Sequence, residues 1–173
     1  GGVICVFSRG FADGVKAVRV IASGGGNQLG KGQVILPRRK LLLVSVDDTD
    51  NDQEGATYSL VHNIAEDLNE KKGIVYLIHG NIQLFPDNPN KTRNCMGTVV
   101  GFSILPSKEK IIIDHFQQQL KNNTFSDETV MCVSDQILHS NSLINFADKA
   151  RTEFLDNLDE AYQLCQENNI RVF

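Results

Sequence analysis

The run Leu41-Leu42-Leu43-Val44-Ser45-Val46 is apolar and rich in β-branched residues, and it ends in Asp47-Asp48-Thr49-Asp50, three carboxylates within four positions. Such a stretch reads as a buried strand whose carboxyl end opens at the mouth of a sheet. Carboxylates gathered there repel one another unless protons or a cation neutralise them. An oxygen-only donor set suits a hard ion, and Mg2+ characteristically takes one or two carboxylates together with phosphate oxygens and water. One reading of Asp47, Asp48 and Asp50 is therefore a Mg2+ site that serves a nucleotide. The other is a plain strand-to-helix link, because Asp, Thr and Asn are ordinary turn and N-cap residues.

The segment after the carboxylates reads as a helix. Asn51 and Glu54 have capping-box spacing, with Asn51 expected as the N-cap. Ala56, Leu60, Ile64 and Leu68 then recur four apart, Val61 and Ala65 widen the stripe, and Lys71-Lys72-Gly73 supplies a basic end and a stop. A helix start favours an anion through its free amides and its dipole. Thr57 would offer a hydroxyl to the same place, or bond its own backbone as helical threonines do. Further on, Asn88-Pro89-Asn90-Lys91-Thr92-Arg93-Asn94 separates two apolar runs, Ile74 to Ile78 and Thr98 to Leu105, in the manner of a hairpin loop. Lys91 and Arg93 flanking a hydroxyl could clamp phosphate, Arg with two bonds and Lys as a point charge. A solvated hairpin tip has the same composition.

Taken together, Asp47-Asp48-Thr49-Asp50-Asn51, Gly55-Ala56-Thr57 and Asn88-Pro89-Asn90-Lys91-Thr92-Arg93-Asn94 resemble two motifs of a known family. It is the kinase-like domain of the archaeal tRNA-isoleucine agmatinylcytidine synthetase, shared by the methanogenesis marker protein 11 family. That pattern reads Asp-Asp-Thr-Asp-Ser, a spacer, Cys-Thr-Thr, and later Asn-Pro-x-x-Pro-Trp-Lys-Thr-Arg-Gly-Asn. Here Asn51 stands for Ser, Ala56 for Cys and Tyr58 for the second Thr, while Asn94-Cys95 stands for Gly-Asn and the Trp is missing. The resemblance covers about Leu41 to Leu105. It implies that Asp47, Asp48 and Asp50 handle Mg2+ bound to ATP and that Thr57 occupies the place of a phosphorylatable threonine. Lys91, Thr92 and Arg93 are implied as the nucleotide or transition-state cradle, with Thr49, Gly55, Asn90 and Asn94 as nucleotide-binding members of the same motifs.

Charge argues against one implied partner. The chain has 173 residues and a formal net charge of −4, which provides no generic attraction for a phosphate backbone. Its one basic cluster, Pro37-Arg38-Arg39-Lys40, reads as a solvated strand flank or a small nucleic-acid patch. A tRNA partner is therefore implied by the resemblance but unsupported by charge. Cys5, Cys95, Cys132 and Cys165 are far apart with no C-x-x-C pair, so reduced thiols in a cytoplasmic protein are expected. None of His62, His79, His115 and His139 is expected to be a ligand or base. No apolar run approaches transmembrane length, so no membrane partner is expected. The opening Gly1-Gly2-Val3-Ile4-Cys5 has neither Met nor a signal-peptide basic region, which reads as a cut chain.

The remaining segments complete an α/β pattern. Val3 to Ser8 reads as strand and Phe11 to Val18 as a short helix, and Val20-Ile21-Ala22 leads into Ser23-Gly24-Gly25-Gly26-Asn27. That glycine stretch reads as a hairpin or lid connection, since no Lys follows in P-loop spacing. Beyond Leu105 come a helix (Lys108 to Lys121), a strand (Thr129 to Val133) and a helical pair, the last helix restarting at Leu158 behind an Asn157/Glu160 capping box. Ile170 to Phe173 turns extended. The expected architecture is α/β, a mixed sheet packed with helices, as one domain or two small lobes: residues 1–40 as a strand-helix segment with the Gly-rich loop, and residues 41–173 as the kinase-like nucleotide-binding domain, joined in one compact unit. Two functions fit: an ATP- and Mg2+-dependent phosphotransferase-like enzyme, or a non-catalytic nucleotide-binding regulatory module.

Overall fold

The computed structural model describes residues 15–173, and the chain divides into two units, Gly1–Arg39 and Lys40–Phe173. In the first, β1 (Ala17–Ala22) and β2 (Lys31–Ile35) pair antiparallel, from Ala17 opposite Ile35 to Ala22 opposite Lys31. The glycine stretch is their connection, closed by a bridge between Gly25 and Gln28. The helix expected over Phe11 to Val18 is not formed at its described end, because Ala17 and Val18 are strand residues. Val18, Val20 and Ile21 are β-branched and stiff at χ1, which favours a pleated backbone over a helical turn. The strand expected over Val3 to Ser8 lies outside the described residues.

The second unit runs β3 (Lys40–Asp47), α1 (Thr57–Asn69), β4 (Ile74–Gln83), β5 (Met96–Ile104), α2 (Glu109–Asn123), β6 (Val130–Ser134), α3 (Asn141–Thr152), α4 (Leu158–Glu167) and β7 (Arg171–Val172). Its sheet has the order β4-β5-β3-β6-β7, and every adjacent pair is antiparallel. β3 and β4 run the same way with β5 between them, and β5 and β6 run the same way with β3 between them. The first six elements are thus two interleaved split βαβ units, the ferredoxin-like arrangement, with β7 added at the edge. The α/β class with helices on a sheet is as expected from the sequence.

Period-two alternation builds the core. Leu42, Val44 and Val46 of β3 are buried in line with Val100, Phe102 and Ile104 of β5. Against them lie Val61, Ile64, Ala65 and Leu68 of α1, and Ile112, Ile113, Phe116 and Leu120 of α2. Each such large side chain contributes roughly 1.5–3 kcal/mol by leaving water. Phe102 and Phe116 meet edge to face at 6.2 Å, a favoured aromatic geometry. On edge strand β4 the register shifts between Tyr76 and Ile78, a bulge at Leu77 that restarts the alternation. As a result His79, opposite Val100, is on the α1 side of the sheet while Ile78, opposite Gly101, is on the other.

Asn51 does not cap α1. Its Oδ1 accepts from the N–H groups of Gln53 and Glu54, both at 2.8 Å, and its own N–H donates to Glu54 O at 2.9 Å. The turn is therefore closed before the helix begins, and Gly55 follows at φ +91°, which no helix contains. Ala56 is the N-cap, without a side-chain bond. The Asn157 cap is formed as expected, its Oδ1 accepting from Glu160 N–H at 3.2 Å. At the start of β3, Lys40 is paired with Glu109 and, at 3.0 Å, with Asp135, while Arg171 reaches Glu109 at 2.5 Å. Among the described residues Cys95, Cys132 and Cys165 are free, and no helix is long and apolar enough to cross a membrane.

Candidate functional site

At the other end of β3 three loops meet: residues 48–56, 84–95 and 124–129. Backbone and hydroxyl bonds hold them. Thr129 Oγ1 donates to Asp48 O at 2.6 Å, Phe125 N–H donates to Thr49 O at 2.9 Å, and Asn51 Nδ2 donates to Phe125 O at 3.2 Å. Arg93 crosses from the β4–β5 loop to donate through Nε (3.2 Å) and Nη2 (2.6 Å) to Asp52 O. Asp48 itself has φ +53°, a left-handed conformation uncommon for a residue with a side chain but adopted by Asp more readily than by most. Gly55 is pressed against Asp50, so that a Cβ there would stand 2.8 Å from Asp50 Cβ.

Inside this junction is a network on one hydroxyl. Thr57 Oγ1 donates to Asp50 Oδ1 at 2.9 Å and accepts from Thr49 N–H at 3.2 Å and Thr49 Oγ1 at 3.0 Å. Thr49 is 1% exposed, so its role is to fix Thr57 from within.

The network faces a cavity of about 200 Å³ lined by Asp47, Asp48, Asp50, Gly55, Thr57, Thr92, Arg93 and Asn94. Eight of the sequence-derived candidates thus converge. Three do not line it. Thr49 lies behind Thr57, Asn90 is in a turn with its N–H on Asn88 Oδ1 at 2.9 Å, and the Lys91 ammonium is bonded to Pro86 O. Sequence reasoning did not single out Tyr58, Asn81, Met96 and Thr98 as site residues, although all four line the cavity. The signal for two of them was a polar break in apolar strands: Asn81 and Thr98 sit opposite each other on the core side, Thr98 Oγ1 donating to Asn81 Oδ1 at 2.8 Å.

Negative charge dominates the cavity. Burial, the charges of Asp48 and Asp50, and only one offsetting bond, from Asp48 N–H at 3.0 Å, push Asp47 up to about 6. Asp48 is raised by burial, then by Glu128 and Asp50, so Glu128 is a further member of the acidic cluster. Carboxylates so placed repel phosphate, and a cation between the two would remove that repulsion. Among the described residues no three acidic, His or Cys side chains close on one point, and Asp50 has an oxygen committed to Thr57. One or two carboxylates beside phosphate oxygens and water are nevertheless the ordinary Mg2+ environment, and Asp47 with Asp48 fits it.

Residues 43–109, which carry both motif loops, match the family model of the TiaS TCKD domain. The chain is related to the TiaS family. Protein MJ0921 of Methanocaldococcus jannaschii, an uncharacterized protein, is 38% identical over 173 residues, 99% of this chain and 57% of that one. The solved complex of TiaS with tRNA and ATP superposes with a TM-score of 0.67 at 22% identity, over 78% of this chain and 32% of that one. Apo TiaS, a tRNA agmatidine synthetase, gives 0.63 at 21% identity, over 77% and 31%. The chain therefore spans a little over half of MJ0921 and about a third of the TiaS chains, and the likeness to TiaS structures establishes the shared fold.

Proposed function

We propose that residues 40–173 bind ATP with Mg2+ and perform a phosphotransferase-type reaction. The observation that carries this is the convergence, on one cavity, of Asp47, Asp48, the Asp50–Thr57 pair and Arg93. The TiaS complex that contains ATP supports the choice of nucleotide. Asp47 and Asp48 would hold the metal, which supplies charge neutralisation between carboxylates and phosphates. Arg93 would make charge-assisted bonds to phosphate oxygens. Thr57 is the candidate nucleophile because its hydroxyl proton already points to a carboxylate. Attack of Oγ1 on the terminal phosphorus would form a P–O bond and break the bond to the bridging oxygen. The nucleoside diphosphate then departs and the Thr57 proton passes to Asp50.

One observation favours the second reading, a nucleotide-binding regulatory module without turnover. The two acceptor directions of Thr57 Oγ1 are taken by Thr49 N–H and Thr49 Oγ1, so attack requires the Thr49 hydroxyl to turn away. Quantifying ADP and AMP released from ATP, together with the mass of the protein after incubation, separates the two. Turnover or a phosphate on Thr57, lost in Thr57→Val, supports the enzyme. Affinity for ATP without either supports the module, and no affinity at millimolar ATP with Mg2+ overturns both. The tRNA in the TiaS complex makes tRNA a candidate acceptor, which the net charge of −4 does not favour for this chain by itself.

A further inference from the structure

The cavity is open to solvent and does not enclose a whole nucleotide. Sites that enclose a drug-sized ligand run to roughly 300–1,000 Å³, whereas about 200 Å³ has room for a phosphate chain. If phosphates occupy it, as proposed above, the ribose and base must lie on surface next to it. Tyr58 is at that margin. It follows Thr57 in α1, lines the cavity and is 47% exposed.

Tyr58 is also held in place. Its ring is stacked on His79 with centroids 3.8 Å apart and planes 17° from parallel. His62, one turn further along α1, lies parallel to His79 within 5° at 5.5 Å, and its Nδ1 is 3.1 Å from Tyr76 Oη. The bulge at Leu77 makes this stack possible, since without it Ile78 would occupy the place of His79 beneath Tyr58. His79 Nε2 is buried without a hydrogen-bond partner, a costly arrangement for a ring used as a polar anchor and an intelligible one for a ring used as backing. A preordered aromatic face beside a triphosphate-sized cavity is the physical requirement for stacking a base.

We infer that Tyr58, backed by His79, is the stacking platform for the nucleobase of a nucleoside triphosphate whose phosphates enter the cavity. This rests on the nucleotide reading above. Every base has a π-face, so the platform selects for a base over none.

Equilibrium titration of the full chain with ATP and with inorganic tripolyphosphate, both with Mg2+, tests it. Wild-type protein should prefer ATP. Tyr58→Ala should weaken ATP binding by roughly 5- to 100-fold, the range that loss of one stacking contact produces, and leave tripolyphosphate within about twofold. Tyr58→Phe, which keeps the ring, should retain ATP binding within about twofold, and His79→Ala should fall between the two. Equal affinity of the wild type for ATP and tripolyphosphate, or an equal loss of both in Tyr58→Ala, overturns the platform while leaving the cavity as a triphosphate site. Wild-type protein that binds neither ligand overturns the cavity reading and the platform with it.

Discussion

Asp47 is a residue whose chemistry the fold alters markedly. Its carboxyl is pushed up to about 6 from 3.8, so between those values the folded state binds a proton that the unfolded state has released. Stability supplied by the protonated form is complete below about 4 and is lost as pH rises through about 6, by roughly 2–3 kcal/mol. Asp47→Asn should remove that dependence. In urea titrations the variant should match wild type near pH 4 and exceed it by about that amount at pH 7.5, while losing affinity for ATP with Mg2+. A second contrast separates the two loop cations. Arg93 lines the cavity and keeps guanidinium donors beyond the two on Asp52 O, whereas Lys91 does not line it and donates to Pro86 O. Arg93→Ala should cost about 1.5–3 kcal/mol of ATP affinity and Lys91→Ala under about half a kcal/mol, read by the same titration.

At the scale of elements, the two asparagine turns have different consequences. Asn157 caps α4, and Asn157→Ala should lower stability by about 1 kcal/mol with a loss of helical circular dichroism. Asn51 closes the turn ahead of α1 and ties it to Phe125 O, so Asn51→Ala should leave helical signal intact and weaken ATP binding by loosening the cavity wall. The strands β3, β5 and β6 were legible as short apolar runs rich in β-branched residues and the helices α1, α2 and α4 by their 3.6-residue period, and α4 adds a true cap. The site was legible where consecutive residues form a motif, as Asp47 to Thr57 do. It was not legible where neighbours come from register. Periodicity tells which face a side chain takes, not which strand lies alongside, so Asn81 opposite Thr98 was missed. The single residue inserted at Leu77 reverses the inside–outside reading of everything after it in β4, which is why His79 looked like a scattered histidine.

For the whole molecule, the division at Arg39/Lys40 has a direct test. A fragment of residues 40–173 should unfold cooperatively, and ATP with Mg2+ should raise its melting temperature and that of the full chain alike. A ligand at roughly 100 times its Kd adds about 2.7 kcal/mol, and chelation of the metal with EDTA should abolish the shift. The interleaving of the two βαβ halves has a further consequence, for the order in which the chain acquires recognition. Within the five-stranded sheet, central strand β3 is synthesised first and gains both its neighbours only later, Ile104 beside Lys40 and then Ser134 beside Leu43. Pairings so distant in sequence close slowly. Until β6 arrives there is no Thr129 to hold the carbonyl of Asp48, and until β5 arrives there is no Thr98 for Asn81. Half-made chains consequently lack the residues that hold the cavity together, and the nucleotide occupancy proposed above would report completed folding.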